Sequence, residues 1–163
     1  MIGREDVLAQ LAEMGVCYEE IAHEAVYTMA EMENEQIDRL GMVCKNLFLK
    51  DDKGRQHYLV VLAQGKSADL KALAKQLGSR PLGFASEERL YKYLGLRKGE
   101  VTPLGILNDD ERAVTVVLDR SLREQPKLGV HPNDNHFTIW LSYEDLCRVI
   151  ENHGNPLLLA DFA

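Results

Sequence analysis

Apolar residues recur at helical spacing near the start of the chain, with Val7, Leu8 and Leu11 inside Glu5–Met14 and Gly15 as a stop. Val16–Ala22 predicts a short strand. Thr28, with Glu31 three residues on, predicts a capping box for a helix over Met29–Leu40. Val43–Lys50 and Gln56–Ala63 are apolar, strand-like runs around Asp51-Asp52-Lys53-Gly54-Arg55, which is a hairpin signal. Helices follow over Asp69–Leu77, ended by Gly78, and over Glu87–Leu94, capped by Ser86 and ended by Gly95.

Beyond a turn at Thr102-Pro103, the pattern predicts strands near Leu104–Leu107, Ala113–Leu118 and Phe137–Leu141. Ser142 with Asp145 caps a last helix to about Asn152, before a short strand at Leu157–Ala160. No linker, repeat or low-complexity tract divides the chain, so residues 1–163 are expected to form one domain. Strands and helices are interspersed and two links are hairpins. The expected class is therefore α/β (α+β) with a mixed sheet, not a parallel βαβ array.

Composition narrows the class of protein. The chain has 163 residues, 45% hydrophobic and 28% charged, which excludes a disordered or collagen-like polymer. Its three cysteines, Cys17, Cys44 and Cys147, are far apart and form no C-x-x-C pair, against a disulfide framework or cysteine-rich zinc site. The longest apolar run, Tyr58–Ala63, is far short of the ~20 residues of a membrane helix. Met1–Asp6 holds no apolar stretch of the kind a secretion signal needs, so a cytoplasmic location is expected. The net charge of −7 conceals an asymmetry: residues 1–43 carry −8, residues 44–98 carry +7 and residues 99–163 carry −6. A local cationic surface on an acidic protein is thus allowed. The plainer account is that Lys66, Lys71, Lys75, Arg89 and Lys92 solvate helix faces.

Two segments attract chemical attention. Strand alternation places Val43, Lys45, Leu47 and Leu49 on one face and Cys44, Asn46, Phe48 and Lys50 on the other. Lys45 thus falls among apolar residues on the expected buried side, where a lysine must snorkel, pair with an acid or face an anion. Gly129–Thr138 reads as a long polar loop feeding a strand, rich in donors from Asn and His. It is open to Asx-turn and structural-histidine readings. A metal held by His131, Asp134 and His136 would match no common zinc spacing. Nucleophile elbows and glycine-rich phosphate loops are missing from the sequence, and Cys44 reads as a packed strand cysteine.

Lys45-Asn46-Leu47-Phe48-Leu49-Lys50-Asp51, followed by Tyr58-Leu59-Val60-Val61-Leu62, resembles the signature strand pair of the prolyl-tRNA editing family. This is the YbaK/aminoacyl-tRNA-synthetase-associated domain in its free-standing, ProX-like form. Three more segments agree in order: His23–Thr28, Gly99–Gly105, and Gly129-x-His131-Pro132-x-x-Asn135-x-x-Thr138. The resemblance implies a mixed, mostly antiparallel, partly closed sheet wrapped by helices. It also implies hydrolysis of the ester that joins a wrong amino acid to the 3′ end of tRNA(Pro), with alanine favoured over cysteine or serine.

Under that resemblance, Lys45, Gly129 and His131 are the catalytic group: Lys45 for a phosphate or developing charge, and the Gly129–His131 turn for backbone donors. Thr28, Asn46, Pro103, Gly105, Pro132, Asn135 and Thr138 line the substrate site. Whether His131 or the substrate's 2′-hydroxyl assists the water stays open. No cofactor and no metal are called for. The expected partners are the acceptor end of mischarged tRNA(Pro) and, secondarily, prolyl-tRNA synthetase, with neither membrane nor DNA. Two other classes compete: a non-catalytic tRNA- or synthetase-binding module, and a metal or thiol hydrolase acting through His131/His136 or Cys44.

Overall fold

The computed structural model of the chain describes residues 1–24 and 41–163. The helix expected over Met29–Leu40 and its Thr28 cap lie outside the described residues. Helix α1 (Arg4–Glu13) buries Val7 and Leu11, and the Gly3 N–H donates to the Asp6 carboxylate at 3.3 Å across its first turn. Then come β1 (Glu19–Ala22), β2 (Met42–Val43), β3 (Lys45–Asp51) and β4 (His57–Leu62). Helix α2 (Leu70–Leu77), β5 (Leu82–Phe84) and α3 (Glu87–Leu94) lead into a 3₁₀ turn over Pro103–Asn108. The chain closes with β6 (Val114–Asp119), a second 3₁₀ turn (Arg120–Glu124), β7 (Leu128–Val130), β8 (Phe137–Leu141), α4 (Tyr143–His153) and β9 (Leu157–Ala160).

The caps read from sequence are made. Asp69 accepts from the Lys71 and Ala72 amides, Ser86 from Arg89, and Ser142 from Asp145. Gly95 ends α3 at φ +66°, and a Cβ there would meet Asn108 Nδ2 at 2.8 Å. Asn108 needs that space because its amide donates to the Leu94 carbonyl at 2.9 Å, binding the helix end to the 3₁₀ turn.

The described residues form the expected mixed α/β fold, its strands divided between two mixed sheets that do not close into a barrel. One has the order β1-β8-β7-β2, the other β5-β3-β4-β6-β9. The first pairs β1 with β8 and β7 with β8 antiparallel, and β2 with β7 parallel. The second contains the predicted antiparallel hairpin β3/β4, then parallel β4/β6 and β6/β9. A parallel link cannot be a tight turn, so the α2-β5-α3 stretch supplies the crossover between β4 and β6. Parallel strands covered on both faces explain why β4 is buried at all six positions.

One large core draws Phe48, Leu59 and Leu118 from the second sheet and Val130, Ile139 and Leu141 from the first. A smaller cluster on the other face of the second sheet packs Leu49, Val60 and Leu62 against Leu73 of α2. Each such fully buried side chain contributes about 1.5–3 kcal/mol. Among the described residues no helix is long and apolar enough to cross a membrane.

Three local expectations are corrected. Val43–Lys50 is not one strand: it breaks at Cys44, whose N–H donates to the Gly129 carbonyl at 3.0 Å, and the chain passes there from one sheet to the other. Leu104–Leu107 is a 3₁₀ turn, because Pro103 presets its first φ and the Thr102 hydroxyl caps the Leu104 amide. Gly129 lies inside β7, not in a turn.

Candidate active site

His131 leaves the end of β7 and is pinned at two points. Its carbonyl accepts the Thr102 hydroxyl at 2.6 Å, and its Nδ1 lies 2.9 Å from the Phe137 carbonyl. Thr102 itself is fully buried. Since a carbonyl only accepts, Nδ1 carries the proton, and the neutral ring presents Nε2 as a lone-pair acceptor. Burial holds the His131 pKa below the ordinary histidine value, and His23 pushes in the same direction, outweighing the bond to Phe137 and the charge of Asp134. The imidazole is thus neutral at pH 7. Nε2 has no hydrogen-bond partner among the described residues.

His23 approaches from β1. Its ring centroid is 6.3 Å from that of His131, and its own N–H donates to the His136 carbonyl at 2.8 Å, extending the β1/β8 pairing. Its Nδ1 faces the Glu24 carbonyl at 2.7 Å, so in the neutral ring Nε2 accepts from the buried Thr138 hydroxyl at 2.9 Å. Thr138 therefore holds a histidine rather than standing free. Pro103 and Gly105 belong to the buried 3₁₀ turn that Thr102 ties to His131. The space beside Gly105 is already filled, since a Cβ would lie 2.7 Å from Leu96 Cδ1. Pro132 and Asn135 are buried in the loop that separates β7 from β8. His136 is exposed and pairs with Asp134 at 3.0 Å. Among the described residues no three His, Cys, Asp or Glu side chains converge as a metal site would require.

Lys45 and Asn46 come from the other sheet, brought alongside β7 by the Val43–Gly129 register and the Cys44–Gly129 hydrogen bond. Lys45 was expected on the buried face. It shares that face with Leu47 and Leu49 but sits at the strand's first position, where the sheet ends, and is exposed, with Nζ 3.3 Å from the Lys66 carbonyl. Asn46 points the other way. Its amide donates to the Cys44 carbonyl at 3.3 Å, while its Oδ1 is buried without a partner among the described residues. An orphaned buried acceptor is costly and suits a donor that arrives with a ligand. Burial pushes the Cys44 thiol up to about 12, so it is no activated nucleophile.

Sequence reasoning placed Lys45, Asn46, Gly129 and His131 near one seam and missed what supports them. His23 lay within a quoted segment without a role of its own, and Thr102 was read only as part of a turn. The hydroxyl beside a proline was the available signal for Thr102, a capping residue with a proton left to donate.

A family model described as aminoacyl-tRNA editing domain matches residues 23–149. The chain is 48% identical over 155 residues to the prolyl-tRNA editing protein ProX of Acetoanaerobium sticklandii, covering 95% of this chain and 94% of that one. It is 38% identical over 143 residues to prolyl-tRNA synthetase associated domain-containing protein 1 of Danio rerio, covering 86% and 77%. Among solved structures, that of a proposed trans-editing enzyme for prolyl tRNA synthetase superimposes with a TM-score of 0.72 at 19% identity, over 99% of this chain and 98% of that one. At that identity the likeness speaks for the fold alone.

Proposed function

Because the chain belongs to the aminoacyl-tRNA editing domain family, we propose that it is a deacylase acting in trans on tRNA(Pro) carrying a wrong amino acid, and that this amino acid is alanine. The observation that carries the reading is the neutral His131 with Nε2 unclaimed, held by Thr102 and Phe137 beside the Lys45–Asn46 strand. A synthetase pocket shaped for proline rejects the smaller alanine weakly, since a missing methylene is worth only about 1–3 kcal/mol. A second pocket that admits alanine and excludes proline by size completes a double sieve.

Aminoacyl esters are reactive, so positioning and charge stabilisation suffice. His131 Nε2 accepts a hydrogen bond from the water and aims its oxygen at the ester carbonyl. Lys45 engages the phosphate of the terminal nucleotide and so fixes the ester's position. Asn46 Oδ1 accepts from the substrate's α-ammonium group. Water adds to the carbonyl carbon and the bond to the ribose oxygen breaks. The proton that water loses ends on that oxygen, freeing the amino acid and tRNA. The test is a deacylation assay on alanyl-tRNA(Pro) and prolyl-tRNA(Pro): the first is cleaved and the second spared. Equal rates on both remove the alanine assignment, and no cleavage of any mischarged tRNA(Pro) removes the enzyme.

A further inference from the structure

The proposed chemistry leaves unexplained a closed polar group at one end of the second sheet. Lys45 pairs with Leu62 across β3/β4, and Val61 with Leu118 across β4/β6, so Lys45, Ala63 and Asp119 reach the same end of three neighbouring strands. Asp119 is 1% exposed, yet both of its oxygens are engaged as acceptors. Oδ2 takes the Ala63 N–H at 3.0 Å. Oδ1 takes the Ser121 N–H at 3.0 Å and its hydroxyl at 2.9 Å, and faces Lys66 Nζ at 3.3 Å. Lys66 Nζ donates in addition to Ser121 Oγ at 2.9 Å.

Asp119 thereby grips both ends of the turn 63–66: the Ala63 amide at one end and the Lys66 ammonium at the other. The turn closes on itself through the Lys66 N–H and the Ala63 carbonyl, 3.1 Å apart. Its outward-facing Lys66 carbonyl is the group that Lys45 Nζ meets at 3.3 Å. Burial raises the Asp119 carboxyl, but the amides of Ala63 and Ser121, the Ser121 hydroxyl and Lys66 outweigh it and hold it below its ordinary value, so it stays ionised. A buried carboxylate is an expensive way to close a turn that neutral groups could close.

We infer that Asp119 is a positioning residue for Lys45, acting through the 63–66 turn whose carbonyl holds the lysine ammonium. This rests on the role given to Lys45 above. An exposed lysine would otherwise sample many rotamers, and one fixed contact places its charge before substrate arrives.

The test is a kinetic cycle on alanyl-tRNA(Pro) with Asp119→Asn, Lys45→Ala and the double variant, each with its melting temperature. Asparagine keeps one acceptor oxygen and turns an NH₂ group toward an existing donor, which loosens the turn. Asp119→Asn is expected to lower kcat about 3- to 5-fold, the effect of losing a placing contact worth about 1 kcal/mol, with KM moved less than about twofold. Added to Lys45→Ala, it is expected to cost nothing further, while its melting shift appears equally in both backgrounds. A loss that multiplies with that of Lys45→Ala overturns the inference, as does a fully active Asp119→Asn protein beside a dead Lys45→Ala protein. A fully active Lys45→Ala protein removes the Lys45 reading and the inference with it. Should Asp119→Asn not fold, Lys66→Met removes the ammonium anchor and keeps the carbonyl. A kcat reduced at unchanged KM is then expected, and wild-type kcat overturns the inference.

Discussion

The indole of Trp140 occupies the place that a side chain on Gly129 would need: a Cβ there would lie 2.7 Å from Cζ3 and 2.8 Å from Cη2. The two residues face each other across β7 and β8. Gly129 was expected in a turn that supplies backbone donors; it lies inside β7, with the space beside it filled by tryptophan. Gly129→Ala should therefore lower stability by about 1–3 kcal/mol through overpacking. Trp140→Phe, which shortens the ring, should return part of that loss in the double variant. Thermal melts of the four proteins measure the coupling, and strictly additive losses would separate Gly129 from Trp140.

Lys45→Ala should lose most deacylation and leave the melting temperature within a degree or two. The lysine is exposed, and its hydrogen bond to the Lys66 carbonyl is a surface contact worth at most about 1 kcal/mol. A deacylation time course beside a circular dichroism melt reads both. A folded Lys45→Ala protein with normal rates would refute its role.

The histidines of the β7–β8 loop should differ sharply. His131→Ala removes the ring whose Nε2 is proposed to hold the attacking water and should cost about 10²–10⁴ in kcat, the usual worth of a proton-handling or orienting group. His136→Ala should cost little, because that ring is exposed and, among the described residues, engaged only with Asp134. Activity should also survive prolonged dialysis against EDTA. Zinc-dependent recovery after chelation, together with a dead His136→Ala protein, would replace this chemistry with a metallohydrolase.

Stability should fall on mild acidification. His57 is 1% exposed, its ring tilted against that of Tyr93 at 4.2 Å between centroids, with its Nε2 3.0 Å from Arg89 Nη1. Burial first, and Arg89 second, hold its pKa below the ordinary 6.5, as burial does for His131. The unfolded chain therefore takes up protons first as pH drops. The stability that neutral rings confer is complete above about 6.5 and is lost progressively below it. Urea midpoints from pH 7.5 to 5.0 should decline, and less steeply in His57→Gln. A flat profile in the parent protein would contradict this assignment.

Local chemistry made the hairpin and the caps at Ser86 and Ser142 legible, because each rests on contacts close in sequence. The polar seam was legible only through its resemblance to a family. What escaped depends on partners distant in sequence. Lys45 lies on the face its alternation assigned, but where the sheet ends is a tertiary fact, so its exposure was not visible. Pro103–Asn108 carries a strand-like run of Leu and Ile, and Pro103 with its Thr102 cap overrides that run. His23 and His131 stand far apart in the chain and meet only because β1 pairs with β8.

The passage of the chain between the two sheets at Cys44 also limits how the gene can change in length. Met42–Val43 is registered against β7 while Lys45–Lys50 is registered against β4, with one residue between them. Removing that residue, or adding another, would turn β3 over and exchange Lys45 for Asn46 on each face. Substitutions can be absorbed along this segment one side chain at a time. Insertions and deletions cannot, so homologous chains should vary here in residue type and hold a constant spacing from Val43 to Asp51.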